Sequence, residues 1–291
     1  MSAADVPPAA DTATADDPLA LDARDWRATV KRTMQEIKDD RVPFAAAGMA
    51  FYFFLAIFPA LIALVGILGV VEVDAGDLVE SVRTTLPGGA GEALAEAVRN
   101  ADRPSETASL LATVFGLLAA LWSASSGMAG LQSGLNIAYD VERDRRFVEK
   151  RAVALGLLLA TIALGGVPSP FFTFGDGTVF TVIGWVLTIV AVMVLFSVFY
   201  WLGPNRERPS WRWVSAGGVV GALIWIAGSL VFGVYVTTFN DYGKTYGPLG
   251  GVIVLILWLY LSSFAVLVGG ELNAELERQA ALRDRDGRPS A

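Results

Sequence analysis

The chain has 291 residues, of which 54% are hydrophobic and only 18% are charged. A soluble globular protein carries about 25% charged residues, so this composition indicates a membrane protein. The chain contains no cysteine and no histidine. Disulfides, thiolate metal sites and cysteine nucleophiles are therefore excluded, and the commonest general base at neutral pH is missing.

Six long stretches contain no Asp, Glu, Lys or Arg. Each is longer than the about 20 residues that a helix needs to cross a bilayer. The apolar runs are continuous rather than alternating, which excludes the strands of a membrane barrel. The sequence therefore predicts an all-α polytopic membrane protein with six transmembrane helices. The predicted spans are residues 44–71, 108–138, 152–174, 178–203, 213–239 and 246–270, in a membrane domain 25–279 between disordered tails at 1–24 and 280–291.

The basic residues alternate in number along the segments outside these spans. Six Lys and Arg precede the first span; the following segments hold three, five, none, three and one, and four follow the last span. Basic residues are retained on the cytoplasmic side. We therefore expect both termini in the cytoplasm and the protein in the cytoplasmic (inner) membrane.

The segment Asp25–Asp40 has the pattern of an amphipathic helix. Trp26, Val30, Met34 and Ile37 recur at helical spacing, and most basic residues lie elsewhere on the helix. One interpretation is an interfacial helix that binds anionic lipid of the inner leaflet. The other is a short helix packed on the cytoplasmic end of the bundle, and both can hold together.

Polar and helix-breaking residues occur inside the first two spans. Pro59 predicts a kink in span one, with Tyr52 nearby. Gln132 and Asn136 in span two must find partners inside the bundle. These residues either hold helices together or line a polar pathway.

Glycines and prolines predict helix contacts and a helix end. Gly130 with Gly134, and Gly217 with Gly221, are four residues apart, a spacing typical of close helix contact. The sequence Gly165–Pro170 in span three predicts that regular helix stops near Val167.

The last span has polar residues at both ends. It begins at Tyr246, where free backbone amides could hold an anionic group or simply form a capped turn. Glu271 and Glu275 follow the apolar run one turn apart, with Asn273 between them. Glu271 is either solvated at the helix end or buried, in which case it needs a partner such as a loop arginine.

Three blocks of sequence resemble one known family. They are FAAAGMAFYFFLAIFPALIALVGILG at Phe44–Gly69, LWSASSGMAGLQSGLNIAYD at Leu121–Asp140 and YGPLGGVIVLILWLYLSSFAVLVGGELNAELER at Tyr246–Arg278. In this order they are similar to the YihY/BrkB family of bacterial inner-membrane proteins, over roughly residues 25–280. The resemblance implies six spans in the cytoplasmic membrane.

The family has carried the label ribonuclease BN, which this sequence does not support. Without His, Cys, a metal-ligand cluster or a basic aromatic surface, we expect no enzyme activity, no cofactor, no metal and no nucleic-acid partner. The favoured function is a transporter or permease for a lipid-like or amphiphilic substrate. If transport is proton-driven, Glu271 is the nearest candidate.

The alternative function is a non-transporting envelope-integrity or scaffold protein. Such a protein would bind partners through Glu72–Glu106, an outer segment predicted to form a helical hairpin, or through the amphipathic helix. An intramembrane enzyme fits least, because no nucleophile–base pair lies within a span. Membrane lipid is the expected partner, and a homo-oligomer stays open.

Overall fold

The computed structural model describes residues 23–70, 106–168, 170–171, 175, 177–206, 211–238 and 248–285. The fold is all-helical over these residues, as predicted. The predicted outer hairpin, the tail 1–22 and Tyr246 lie outside them. Seven helices are described: α1 Ala23–Asp39, α2 Val42–Val70, α3 Glu106–Ala138, α4 Phe147–Gly166, α5 Thr178–Leu202, α6 Trp211–Thr238 and α7 Pro248–Arg285.

Several helices have the dimensions of membrane spans. Among the described residues, three segments are long and apolar enough to cross a bilayer: Thr178–Leu202, Ala216–Val236 and Gly250–Gln279. A fourth is added if α1 and the start of α2, bent by 63° at their junction, count as one broken span. The six-span topology and the cytoplasmic termini therefore stay predictions.

Large apolar side chains point outward along the apolar helices. On α5, for example, Phe180, Trp185 and Val190 are all exposed. Water does not stabilise such a surface, whereas lipid chains are as apolar as these side chains. The exposed face of α5 therefore suits contact with lipid.

Six of the helices form a closed ring of contacts. In chain order α2 contacts α3, and so on to α7, which contacts α2 again; α1 packs mainly on α7. The buried residues concentrate at the start of α2, the end of α3, the start of α4, the end of α5, the start of α6 and the end of α7. Among the residues whose burial is described, the core therefore lies at the end of the ring where the sequence predicts the cytoplasmic side.

Two helix boundaries differ from the predicted spans. The third span was expected at 152–174, whereas α4 runs from Phe147 to Gly166. It ends before Pro168, as expected, because proline has no backbone amide to continue the helix. The last helix does not end near residue 270 but continues to Arg285, into the predicted tail. The charged end stays helical because other elements of the bundle contact its polar groups.

The apolar pattern of α1 divides between two faces. Val30 and Met34 are 47% and 59% exposed, so they lie outside the face that packs on the bundle, and their contact with lipid stays a prediction. The face that meets the bundle consists of Trp26, Thr29, Thr33 and Ile37.

The predicted glycine faces are confirmed as close contacts. A Cβ atom on Gly134 would lie 2.9 Å from both Leu267 Cδ2 and Met49 Sδ. A Cβ atom on Gly221 would lie 2.5 Å from Tyr200 Oη. The absence of side chains at these positions lets α3 approach α2 and α7, and lets α6 approach α5.

Candidate functional site

The end of α7 buries polar residues on two opposite faces. In the segment 271–278, here called the α7 polar segment, Glu271, Asn273, Glu275 and Glu277 are each 5% exposed or less. With about 3.6 residues per turn, Glu271 and Glu275 share one face, and Asn273 and Glu277 share the other. The segment is therefore enclosed by neighbouring elements rather than solvated.

The face of Asn273 and Glu277 is joined to the rest of the bundle by an ion pair and hydrogen bonds. Arg206 Nη1 lies 2.6 Å from Glu277 Oε2, and the two side chains are only 2% and 5% exposed. Asn273 Nδ2 donates to Tyr139 Oη at 2.8 Å and to Glu277 Oε1 at 3.0 Å. Asn273 Oδ1 accepts from the Gly217 amide at 3.0 Å. This network connects α7 to α6, to the end of α3 and to the α5–α6 link.

The face of Glu271 and Glu275 has a different charge balance. Arg278 Nη1 lies 2.5 Å from Glu275 Oε1 and 3.4 Å from Glu36 Oε1 on α1. Arg278 Nη2 forms a further ion pair with Asp140. One guanidinium therefore faces three carboxylates from three parts of the chain.

Asp140 owes its position to an unusual end of α3. Its φ is +54°, in the left-handed region where glycine is normally found. The Asp140 amide donates to Ile137 O at 3.0 Å and the Val141 amide to Asn136 O at 2.8 Å, the bonding pattern of a Schellman motif. A non-glycine residue there costs about 1–2 kcal/mol, and here its carboxylate reaches Arg278.

Glu271 is buried beside another carboxyl rather than beside an arginine. Its carboxyl lies close enough to that of Asp40, in the turn between α1 and α2, for the two to share a hydrogen bond. Glu271 is 2% exposed, and its Oε1 atom accepts no hydrogen bond from a described residue. Burial, followed by the charge of Asp140, raises the pKa of Asp40 to about 6.

Gln132 is fully buried and bonds to the loop and helix that follow α3. Its Nε2 donates to the Lys150 carbonyl at 3.0 Å, and its Oε1 accepts from Arg145 Nη1 at 3.2 Å. The same guanidinium donates to the carbonyls of Gly203 at 2.5 Å and Pro204 at 2.8 Å. Gln132 thus helps to hold the α3–α4 loop against the end of α5.

Asn136 lies one turn further on and has a similar set of partners. Its Nδ2 donates to Asp144 Oδ1 at 3.0 Å, and its Oδ1 accepts from the Asn205 amide at 2.8 Å. Burial raises the pKa of Asp144, but hydrogen bonds from Lys150 and the Arg145 amide outweigh it, and the net pKa is lowered. These hydrogen bonds give the side chains of Gln132 and Asn136 a structural role in holding the bundle together. A role in a polar pathway stays a prediction.

The remaining predicted residues lie apart from this end or outside the described part. Tyr52 is 48% exposed and packs on Gly130, 3.5 Å from the position of a Cβ there. Pro59 lies within α2, with its side chain outside the described residues. Of the eight predicted site residues, the structure therefore gathers five at the core end of the bundle: Gln132, Asn136, Glu271, Asn273 and Glu275.

Sequence reasoning did not single out Arg206, Arg278, Asp140 or Asp40 as site residues. Arg206, Asp140 and Asp40 lie in a loop or a turn, and Arg278 lies in the charged last part of α7. A charged residue at such places is normally solvated. The acidic residues of Glu271–Glu277 could have predicted cationic partners, because buried carboxylates need cations nearby. In the described ranges, no group of three or more His, Cys, Asp or Glu side chains is placed to hold a metal ion.

Comparison with known proteins identifies the family. The model of the family described as Virulence factor BrkB matches residues 33–291, which include the whole α7 polar segment. The chain belongs to this family. Together with its apolar helices, this makes it a multi-pass protein of the cytoplasmic membrane.

Several BrkB-family relatives match along most of the chain. YfkH of Bacillus subtilis (strain 168), whose name describes a putative ribonuclease-like protein, is 33% identical over 83% of this chain and 92% of its own. A UPF0761 membrane protein of Vibrio atlanticus (strain LGP32) is 28% identical over 84% of this chain and 81% of its own. The UPF0761 membrane protein AZOSEA40600 of Aromatoleum aromaticum is 28% identical over 84% of this chain, which spans only 63% of that relative. No solved structure matches the chain.

Proposed function

We propose that this BrkB-family protein is a transporter or permease for a lipid-like or amphiphilic substrate. The observation that carries the proposal is the α7 polar segment, in which ionisable side chains are buried at the end of an apolar helix. Ionisable residues at such places in membrane proteins are costly and usually functional.

The energetics favour a functional explanation over a structural one. Replacing a buried ion pair by apolar side chains of similar volume is often neutral or stabilising by about 1–4 kcal/mol. A bundle that needed only rigidity would be held as well by apolar residues in place of Arg206 and Glu277. Charges that pair in one state and hydrate in another suit a helix end that opens and closes.

The class of substrate is inferred from two kinds of surface on the bundle. Apolar side chains are exposed along α5 and offer a path for a hydrocarbon chain. The α7 polar segment supplies polar groups for a head group at the end of the bundle. An amphiphile matches both surfaces, whereas a small hydrophilic solute matches only the second.

A scaffold function is supported by a different observation. All the hydrogen bonds described for Gln132 and Asn136 go to the α3–α4 loop, the start of α4 and the α5–α6 link. Such bonds rigidify the core end without needing a substrate. This alternative predicts that no substrate moves, although the fold is intact.

A catalytic function has less support. The name of YfkH raises RNA hydrolysis as a possibility for this chain. The chain has no His and no Cys, and we keep the expectation that it is not an enzyme. Incubating purified protein with labelled RNA and divalent metal tests this, and cleavage that co-purifies with the protein would contradict it.

Reconstitution tests the transport proposal. The purified chain is incorporated into liposomes that contain a fluorescent phosphatidylglycerol, and movement of this lipid between leaflets is followed with an impermeant quencher. We expect faster movement than in protein-free vesicles and slower movement with Gln132→Ala, Asn136→Ala or Glu271→Gln. Equal rates in all protein samples would remove these residues from the site, and no movement above protein-free vesicles would favour the scaffold.

A further inference from the structure

Two carboxyl groups meet where the α1–α2 turn touches α7. The Asp40 and Glu271 carboxyls lie close enough to share a hydrogen bond. Glu271 is 2% exposed, and its Oε1 atom is buried without a hydrogen-bond partner among the described residues. Two ionised carboxylates cannot hydrogen bond to each other, because neither has a donor. A hydrogen bond between them therefore requires a proton on one of the two.

The neighbouring cations are committed to other carboxylates. Arg278 pairs with Glu275, Glu36 and Asp140, and Arg206 pairs with Glu277 on the opposite face of α7. The charged or titratable groups that face the carboxyl pair come from three elements. From α1 they are Glu36 and Asp39, and from the end of α3 Tyr139 and Asp140. From α7, Glu275 lies one turn along the same face, where Arg278 and Arg32 act on it.

This surrounding has more negative than positive charge. Arg278 and Arg32 face Glu36, Asp39, Asp140 and Glu275 before Asp40 and Glu271 are counted. Like charges at a shared site force one member of a carboxyl pair to hold its proton, and the pair then titrates as a unit. The pKa of about 6 for Asp40, caused first by burial and then by Asp140, agrees with this surplus.

We propose that Asp40 and Glu271 form a proton-binding site that joins the α1–α2 turn to α7. With one proton bound, the two carboxyls share a hydrogen bond and the turn is held against the helix. With none, two negative charges repel at short range and the turn separates from α7. Because α1 and α2 meet at an angle of 63° at this turn, its release would alter the packing of α1 on the bundle end.

The role of the proton rests on the proposed transport function. In a transporter, a proton that controls contact between α7 and the α1–α2 turn is the coupling ion. The presence of the proton does not depend on transport, and the two statements can be tested separately.

Infrared spectroscopy of the full-length protein tests the proton directly. A protonated carboxyl has a C=O stretching band that is distinct from that of a carboxylate and shifts in heavy water. We expect such a band at neutral pH in the wild type and in Glu142→Gln, a matched change at an exposed residue of the α3–α4 loop. We expect its loss in both Glu271→Gln and Asp40→Asn.

The variants are chosen to keep the fold. Each replaces one carboxyl by an amide of the same shape, which can donate to the remaining carboxylate as the proton does. Elution as a single folded species on size exclusion verifies this. A band that persists in both variants would overturn the proposal. So would loss of the wild-type band when sodium chloride replaces choline chloride at constant pH, because a metal cation would then occupy the site.

The lipid-movement assay distinguishes the proton-binding site from the proposed transport function. Loss of the band in both variants supports the proton site whether or not fluorescent phosphatidylglycerol moves. Absence of lipid movement in the wild type would refute the transport function and leave the site standing. If the wild type moves lipid at a rate that does not change with an imposed pH gradient, the proton is not the coupling ion.

Discussion

The buried pair of Arg206 and Glu277 allows a quantitative prediction. Glu277→Gln removes one charge and leaves the guanidinium of Arg206, 2% exposed, without its counterion. Breaking a buried ion pair in this way costs about 3–5 kcal/mol. Arg206 also stacks on Tyr139, 4.1 Å from the ring centroid, and donates to the Tyr200 carbonyl at 3.0 Å. It therefore cannot swing into solvent without losing further contacts.

Thermal unfolding in detergent measures the effect. At roughly 2–4 °C per kcal/mol for a chain of this size, the unfolding temperature of Glu277→Gln should fall by about 6 °C or more. The matched control Glu142→Gln changes an exposed carboxylate and should leave it unchanged within about 0.5 kcal/mol. The double variant Arg206→Met with Glu277→Met, which removes both charges, should recover most of the loss.

Two outcomes would refute this reasoning. One is an unfolding temperature of Glu277→Gln equal to that of Glu142→Gln, which would mean that the Arg206–Glu277 pair is hydrated in solution. The other is a double variant that is no more stable than Glu277→Gln, which would mean that the uncompensated charge of Arg206 is not the cause of the loss.

Three further predictions concern packing, pH and lipid. Gly221→Ala would place a methyl 2.5 Å from Tyr200 Oη and should cost about 1–3 kcal/mol in unfolding free energy. Gly156→Ala, with nothing within 4 Å, should be neutral or stabilising. The pKa of Asp40 is raised from 3.8 to about 6, so its stabilising contribution is complete below 3.8 and is lost as pH rises through about 6. Acidification from about pH 7 to about pH 5 should therefore raise the unfolding temperature of the wild type relative to Asp40→Asn, and parallel curves would contradict this. Lys31 and Lys38 are exposed on α1; their joint change to Glu should remove at least about 1 kcal/mol per Lys of stabilisation by phosphatidylglycerol over phosphatidylcholine, and an unchanged difference would argue against lipid contact.

The long apolar segments could be read from the sequence because their signal is local. Uninterrupted runs without charge determine where a helix can lie in a bilayer, and the structure places helices α2, α3, α5 and α6 close to the predicted spans. The glycine contacts at Gly134 and Gly221 were also predictable, because a four-residue spacing is enough to define one helix face.

The charged end of α7 could be predicted only in part. Glu271 and Glu275 were visible as acids on one helix face, but their burial depends on α1 and the end of α3, which are distant in the chain. The sequence left Glu271 either solvated or buried with a partner such as an arginine, whereas the structure buries it beside Asp40. The left-handed residue Asp140 was missed because glycine is the usual residue at such a helix end.

The extent of α7 shows the same dependence on tertiary contacts. Hydropathy alone ends the helix near residue 270, where charges begin. The helix continues to Arg285, and within it Arg206, Tyr139 and Gly217 satisfy polar groups of Asn273 and Glu277 that hydropathy counts as solvent-exposed. A scale based on single residues contains no information about these partners.

The central claim is that the buried carboxyl of Glu271 serves the movement of an amphiphile across the membrane. Its most direct test compares leaflet-to-leaflet movement of fluorescent phosphatidylglycerol in vesicles that hold equal amounts of wild type, Glu271→Gln or Glu142→Gln. We predict rapid movement with the wild type and Glu142→Gln, and a rate close to that of protein-free vesicles with Glu271→Gln. Identical rates in all three protein samples, or no protein-dependent movement at all, would contradict the claim.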